Sequence, residues 1–147
     1  DPGADLVGYA HQKQISVYPL IGPSSILLAL MGSGFNGQSF AFHGYLPIDK
    51  PERKVALKQA EKIAQNEGQT QVWIETPYRN LSLFQDLIQH LQENTLLSIA
   101  CDLSLPSQWI QTKSIGLWKK AEVSFIQKRP AIFLVSGGQP KRKDFSF

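Results

Sequence analysis

Glu75-Thr76-Pro77-Tyr78-Arg79 sets a carboxylate, a hydroxyl, a phenol and a guanidinium directly after the apolar stretch Val72-Trp73-Ile74. A cluster of that kind can hold a polar ligand by charge and hydrogen bonds and so form one wall of a cleft. Glu75 and Arg79 also suit a plain surface ion pair, worth less than about 1 kcal/mol. A second cluster, Gly22-Pro23-Ser24-Ser25, interrupts an apolar run and opens another. Its hydroxyls either cap the next helix or reach the polar edge of a ribose or an adenine, and neighbouring serines can do one each. The first N–H groups of that helix have no intrahelical acceptor, which makes the turn a ledge for polar ligand atoms.

Other candidates read as structural. His43 alternates with aromatic neighbours on an expected strand, where a satisfied structural histidine is the better account. Asp102 follows an apolar run and suits a turn cap. Cys101 has no activating partner nearby in sequence and packs as a small hydrophobe. No nucleophile with its base can be named, and neither a phosphate-binding loop nor a complete dinucleotide fingerprint is present. With one cysteine and three scattered histidines, no disulfide and no structural metal are expected, in keeping with a reducing cytoplasm.

At 147 residues and 42% hydrophobic content, the chain supports one well-buried core. Its longest apolar run, residues 26–31, is far short of the roughly 20 residues that cross a bilayer, and no export signal is expected. The net charge of +3 is concentrated in Lys119, Lys120, Lys128, Arg129, Lys141, Arg142 and Lys143. That excess permits an anionic partner and equally fits a solvated surface with a frayed basic tail. Trp118 and Phe125 stand among these charges and could stack on bases or belong to the core.

The elements that must position these groups follow from periodicity. Leu6, Val7 and Ala10, after Pro2, predict a first helix, and residues 15–20 a first strand. Pro23 with Ser24 or Ser25 starts a helix ending near Gly32-Ser33-Gly34. Residues 40–46 alternate as a half-buried strand closed by Pro47. Asp49 and Glu52 around Pro51 form a capping box, and Ala56, Ala60, Ile63 and Ala64 line a helix ending at Gly68. Residues 71–76 read as a central strand, then Leu81, Phe84, Leu87, Ile88 and Leu91 as a helix, and residues 96–101 as a buried strand. Beyond these, residues 109–112 suit a short strand, 115–121 a short helix and 131–136 a closing strand. The expected fold class is α/β: a single mixed or mostly parallel sheet of about five strands flanked by helices. Residues 1–138 form the domain and 139–147 a disordered basic tail.

Four segments then sit at strand tips: residues 22–25, 75–79, 100–104 and 130–132, the edge where open α/β sheets gather ligands. Asp1-Pro-Gly3, Pro23-Ser24, Phe42 with Gly44-Tyr-Leu-Pro47, Glu75-Thr-Pro-Tyr-Arg79 and Pro130-Ala131 together resemble the C-terminal half of the tetrapyrrole methylase family. The nearest branch is the one that methylates small-subunit ribosomal RNA. The resemblance implies S-adenosyl-L-methionine as co-substrate, bound between two domains of which the N-terminal one is absent here. It implies cofactor contacts from Pro23, Ser24, Ser25, Glu75, Tyr78, Arg79, Ala100, Pro130, Ala131 and Ile132, with no metal. It further implies ribosomal RNA as acceptor, a homodimer when complete, and no membrane partner. Where that branch shows Ala-Arg-Glu-Leu-Thr-Lys, this chain has Ala100-Cys-Asp-Leu-Ser-Leu105, losing two basic residues and shortening an acid. A tetrapyrrole or corrinoid acceptor, and a non-catalytic dimerisation or ligand-binding module, are the alternatives.

Overall fold

The computed structural model describes residues 3–138. Pro2 and the expected tail at 139–147, with Lys141, Arg142 and Lys143, lie outside the described residues. Helices α1 (Gly3–Gln12), α2 (Ser25–Ser33), α3 (Lys50–Glu67), α4 (Asn80–His90) and α5 (Ile115–Trp118) accompany strands β1 (Phe40–Phe42), β2 (Thr70–Glu75), β3 (Leu96–Cys101), β4 (Trp109–Ser114) and β5 (Ala131–Ser136). The strands form one five-stranded sheet in the order β1-β2-β5-β3-β4.

The sheet is mixed, and it is not mostly parallel. β1 pairs with β2 in parallel, whereas β2–β5, β5–β3 and β3–β4 are all antiparallel. The chain's last strand enters between β2 and β3 and runs against both, so β1, β2 and β3 all end at the same edge, where β4 and β5 begin. That edge carries the expected tips at residues 75–79, 100–104 and 130–132, whereas residues 22–25 follow no strand.

Residues 15–20 form no strand, contrary to the sequence-based expectation. Tyr18, Leu20 and Ile21 are 81%, 92% and 107% exposed. An apolar run becomes a strand only where another backbone offers donors and acceptors, and no described strand lies beside this one. The strand expected at 40–46 stops at Phe42, because Gly44 adopts φ +70 and turns the chain away. Ladder-like bonds nevertheless continue, from the His43 N–H to Val72 O and from the Ile74 N–H to Gly44 O.

Alternation along the central strands divides the core between two faces. Trp73, Leu97, Ile99, Cys101, Phe133 and Val135 pack under α3, α4 and α5 with Leu57, Leu83, Leu87 and Trp118. Val72, Ala100, Ile132 and Leu134 pack under α2 with Ala29 and Leu30. Trp118 is a core residue, 1% exposed, with its indole N–H bonded to Leu97 O. Each fully buried Leu or Phe of this kind contributes about 1.5–3 kcal/mol.

α3 has the clearest local code. Asp49 Oδ1 accepts the Glu52 N–H at 3.0 Å, Pro51 occupies the first turn, and Gly68 ends the helix in the left-handed conformation. α3 and α4 are joined by a buried ion pair, Arg53 Nη1 to Asp86 Oδ2 at 2.6 Å, while Arg53 Nε and Nη2 donate to Pro47 O and Ile48 O. Arg53 therefore ties the loop after β1 to both helices. Truncating one partner strands the other charge in the interior, which costs about 3–5 kcal/mol. Asp86→Ala should lower the unfolding free energy in urea by that order, and an unchanged midpoint would show that the pair does not hold the two helices together.

Candidate functional site

The last two rungs of the sheet define the candidate edge. On one, Glu75 faces Ala131, Ala131 faces Cys101, and Cys101 faces Trp109. On the other, Ile74 faces Ile132, Ile132 faces Ala100, and Ala100 faces Ile110. Since successive side chains point to opposite faces, the expected site residues divide. Ala100 and Ile132 lie on the α2 face. Glu75 and Ala131 lie on the α4 face.

On the α2 face, α2 lies across β3, β5 and β4. Ile26, in its first turn, packs with Ile74, Leu103 and Ile110 against the cluster of Ala29, Leu30, Val72, Ala100, Ile132 and Leu134. The C-terminal turn of α2 lies over β4, where Gly32 abuts Ile110 and Thr112 Oγ1 donates to Ser33 O at 2.8 Å. Ser24 is the N-cap residue, with φ −119 and ψ 120, yet its side chain makes no capping bond. Pro23 and Ser25 are exposed and Ser24 is half-buried. The capping alternative for the serines is therefore not what the structure shows. Neither hydroxyl has a hydrogen-bond partner in the described structure, and both stand beside the open N–H groups of the first turn.

On the α4 face, Glu75 and Arg79 form more than a surface pair. Arg79 Nη2 lies 2.7 Å from Glu75 Oε1 while the Glu75 side chain is 0% exposed. The same oxygen accepts the Thr76 N–H at 2.6 Å and Arg79 Nε at 3.0 Å. Glu75 Oε2 is buried with no partner in the described structure, as is Asn80 Oδ1. Tyr78 turns outward, 73% exposed.

Two polar clasps hold this edge, and the sequence reading missed both. Asn80, fully buried at the start of α4, donates to Ile126 O at 2.8 Å and Arg129 O at 2.7 Å. Lys128 N–H donates to Pro77 O, and Gln127 Nε2 to Tyr78 O. The segment before Pro130 is thus stitched to the loop that carries Glu75 to Arg79. In the second clasp, Arg129 Nε donates to Asp102 Oδ2 at 2.8 Å, Ser107 Oγ donates to the same oxygen at 2.8 Å, and the Arg129 guanidinium lies over the Phe125 ring. Asp102 does hold a turn, as expected, at φ +50. The hint available in sequence was Arg129 beside Pro130; nothing local paired it with Asp102.

The Ser107 hydroxyl, followed by the hydrogen bond and charge of Arg129, holds the Asp102 carboxyl below the usual carboxylate range. Burial pushes the Cys101 thiol up to about 11, with Arg129 pulling it down and Asp102 raising it further. Such a thiol stays protonated near neutrality and is no nucleophile. His43 Nε2 lies 2.7 Å from Gln71 Oε1, and its ring stacks on Trp73, the satisfied structural role expected of it. No group of three or more metal-ligating side chains occurs among the described residues.

An α/β domain with one mixed sheet, helices on both faces and polar tips gathered at one edge is the class that fold and site define. Its solved neighbours share that fold: cobalt precorrin-4 methyltransferase CbiF (TM-score 0.56, 10% identity, 91% of this chain and 57% of that one) and the methyltransferase CobJ (TM-score 0.53, 14% identity, 89% and 55%). No family model matches the chain. Curated sequences match along its whole length. Ribosomal RNA small subunit methyltransferase I of Leptospira borgpetersenii is 32% identical over 100% of this chain and 57% of its own length. The protein of that name from Buchnera aphidicola of Schizaphis graminum is 30% identical over 99% and 51%. The chain belongs to the tetrapyrrole methylase family, beside its ribosomal RNA small subunit methyltransferase I members. It spans about half the length of the curated relatives it matches.

The Asp102 shift has a testable sign. A carboxyl lowered in the folded state stabilises the fold above the unfolded value of about 3.9 and loses that contribution as pH falls through the folded value. The stability of Asp102→Asn should therefore depend less on pH than that of the parent below about pH 4, measured by urea unfolding across the acid range. Cys101 should resist an aqueous maleimide in the folded chain and react once denaturant is added; rapid labelling of the native chain would contradict its burial.

Proposed function

We propose that this chain is the cofactor-binding C-terminal portion of an S-adenosyl-L-methionine-dependent methyltransferase whose acceptor is ribosomal RNA. The observation that carries the reading is end-to-end sequence identity of 30–32% with proteins named for that activity. The local structure suits an adenosyl group. In this reading the hydroxyls of Ser24 and Ser25 and the open N–H groups after Pro23 offer polar contacts, and Ala100 and Ile132, on the sheet face that α2 covers, offer apolar ones. Behind this wall, Glu75 with Arg79, next to Tyr78, and the strand start at Pro130 and Ala131 fix the shape of the edge. In this reading they act mainly as support.

When bound, the sulfonium co-substrate supplies a methyl group for direct displacement, for which no metal is required. What the protein adds is alignment of donor and acceptor, the largest help such a reaction can receive from binding alone. Residues 1–138 form the domain in this reading, and the other wall comes from a preceding half. That second wall is supported by α1, which has no buried residue, and by the exposed apolar segment after it. The reading also carries a cytoplasmic location and a homodimer of the complete protein. A corrinoid acceptor is supported only by fold likeness to CbiF and CobJ, so ribosomal RNA is preferred.

Calorimetric titration tests this. S-adenosyl-L-methionine should bind the 147-residue chain at least about tenfold more weakly than a protein of the relatives' full length, a gap of about 1.4 kcal/mol. Ser24→Ala/Ser25→Ala should weaken the longer protein further. Equal affinities of the short and long forms would refute a cleft shared between two halves.

A further inference from the structure

Lys50, Lys54, Lys58 and Lys62 stand four residues apart along α3. Each step of four advances about 6 Å and turns little more than one helical turn, so all four share a ridge about 18 Å long. All four are exposed. Like charges at this spacing oppose helix formation by about 0.2–0.5 kcal/mol per pair, and α3 tolerates three successive pairs. Lys58 alone of the four has a carboxylate partner among the described residues, Glu61 Oε2 at 3.3 Å. Glu61 itself is turned inward, where its other oxygen accepts the Gln92 N–H and Thr95 Oγ1, each at 2.6 Å. At about 100° per residue, Asp49, Glu52 and Glu67 project away from the ridge.

The ridge borders a shallow groove lined by Pro51, Lys54, Val55, Lys58, Gln59 and Lys62. It begins at the candidate edge, since α3 starts from the loop that follows β1 and that Arg53 anchors through Pro47 O. It then descends the α3 side of the sheet toward Gly68.

We propose that this lysine ridge is an electrostatic track for the phosphate backbone of an RNA strand, leading toward the candidate edge. It rests on the reading that the acceptor is RNA. A single positive charge repeated at each helical turn is comparable with the step between neighbouring phosphates of a strand, and a flexible ammonium suits a point contact to each. An acidic protein surface fits less well: beside the lysines the groove offers only Pro51, Val55 and Gln59, with no aromatic or arginine anchor. Phosphate contacts of this sort position a strand without reading its bases.

The test is fluorescence anisotropy of a short labelled segment of small-subunit ribosomal RNA, titrated with this chain over a range of salt concentrations. Neutralising three contacts in Lys54→Gln/Lys58→Gln/Lys62→Gln should reduce the slope of log affinity against log salt by about 2, at about 0.7 per single-strand contact. The matching triple arginine variant should keep the parental slope, and both should keep the parental circular dichroism. Lys119→Gln/Lys120→Gln, just beyond α5 at the opposite edge of the sheet, should leave the slope unchanged. An unchanged slope in the glutamine triple, an equal loss in the Lys119/Lys120 variant, no RNA binding by the parent, or equal competition from a polyglutamate peptide would each overturn the proposal. Because the readout involves no methyl transfer, it fails or succeeds independently of the cofactor titration above.

Discussion

The constraint on which the rest of the structure depends is the insertion of β5 between β2 and β3, antiparallel to both. Five of its six residues are buried, and it pairs with Gln71 to Glu75 of β2 on one side and with all of β3 on the other. This arrangement joins a strand that arrives early in the sequence to one that arrives late, and it brings Glu75, Ala131 and Cys101 onto one rung. Without it, β1–β2 and β3–β4 would be two small ribbons, each too narrow to stand alone in water. The edge exists because β5 begins where β2 and β3 end.

Polar groups then make that edge rigid. Glu75 and Arg79, Asn80 with its two carbonyl partners, and Asp102 with Ser107 and Arg129 each replace solvent around a loop that would otherwise leave backbone groups bare. These bonds join elements far apart in sequence, so each adds to tertiary order and little to local propensity. The unpaired oxygens of Glu75 and Asn80 are the exceptions in a network otherwise well satisfied. A buried acceptor left empty is costly, so these two atoms mark where the edge is least settled as it stands.

Most elements were legible in the sequence because their signals are local. α3 combined apolar periodicity with an N-cap aspartate and a terminal glycine, while β2, β3 and β5 were apolar runs of strand length. Direction was not legible: an apolar run carries no mark of whether its neighbour runs with it or against it, so the antiparallel β5 went unforeseen. Residues 15–20 had the composition of a strand, yet a strand also needs a neighbour that composition cannot supply. At the candidate edge, residue types were readable, but the side of the sheet was not. One step of alternation separates Ile74 from Glu75 and places them on opposite faces. The lysines of α3 had a visible spacing of four, obscured by the larger cluster of charge near the end of the chain.

The two faces of the sheet are unequally finished, and this bears on how the domain works. Under α3, α4 and α5 the core is continuous, with eighteen buried residues in one cluster, whereas the α2 side has six. Leu27 and Met31 on α2 remain 49% and 79% exposed, as do Phe40 and Phe42 at 37% and 42% on the edge strand. Apolar surface left open beside polar groups is expected where a further layer of protein or a ligand completes the packing. The candidate ledge of Ser24 and Ser25 opens on this less finished face, while the lysine ridge lies on the helix of the finished one. A division of that kind lets one face exchange partners while the other keeps the sheet, and therefore the edge, in place.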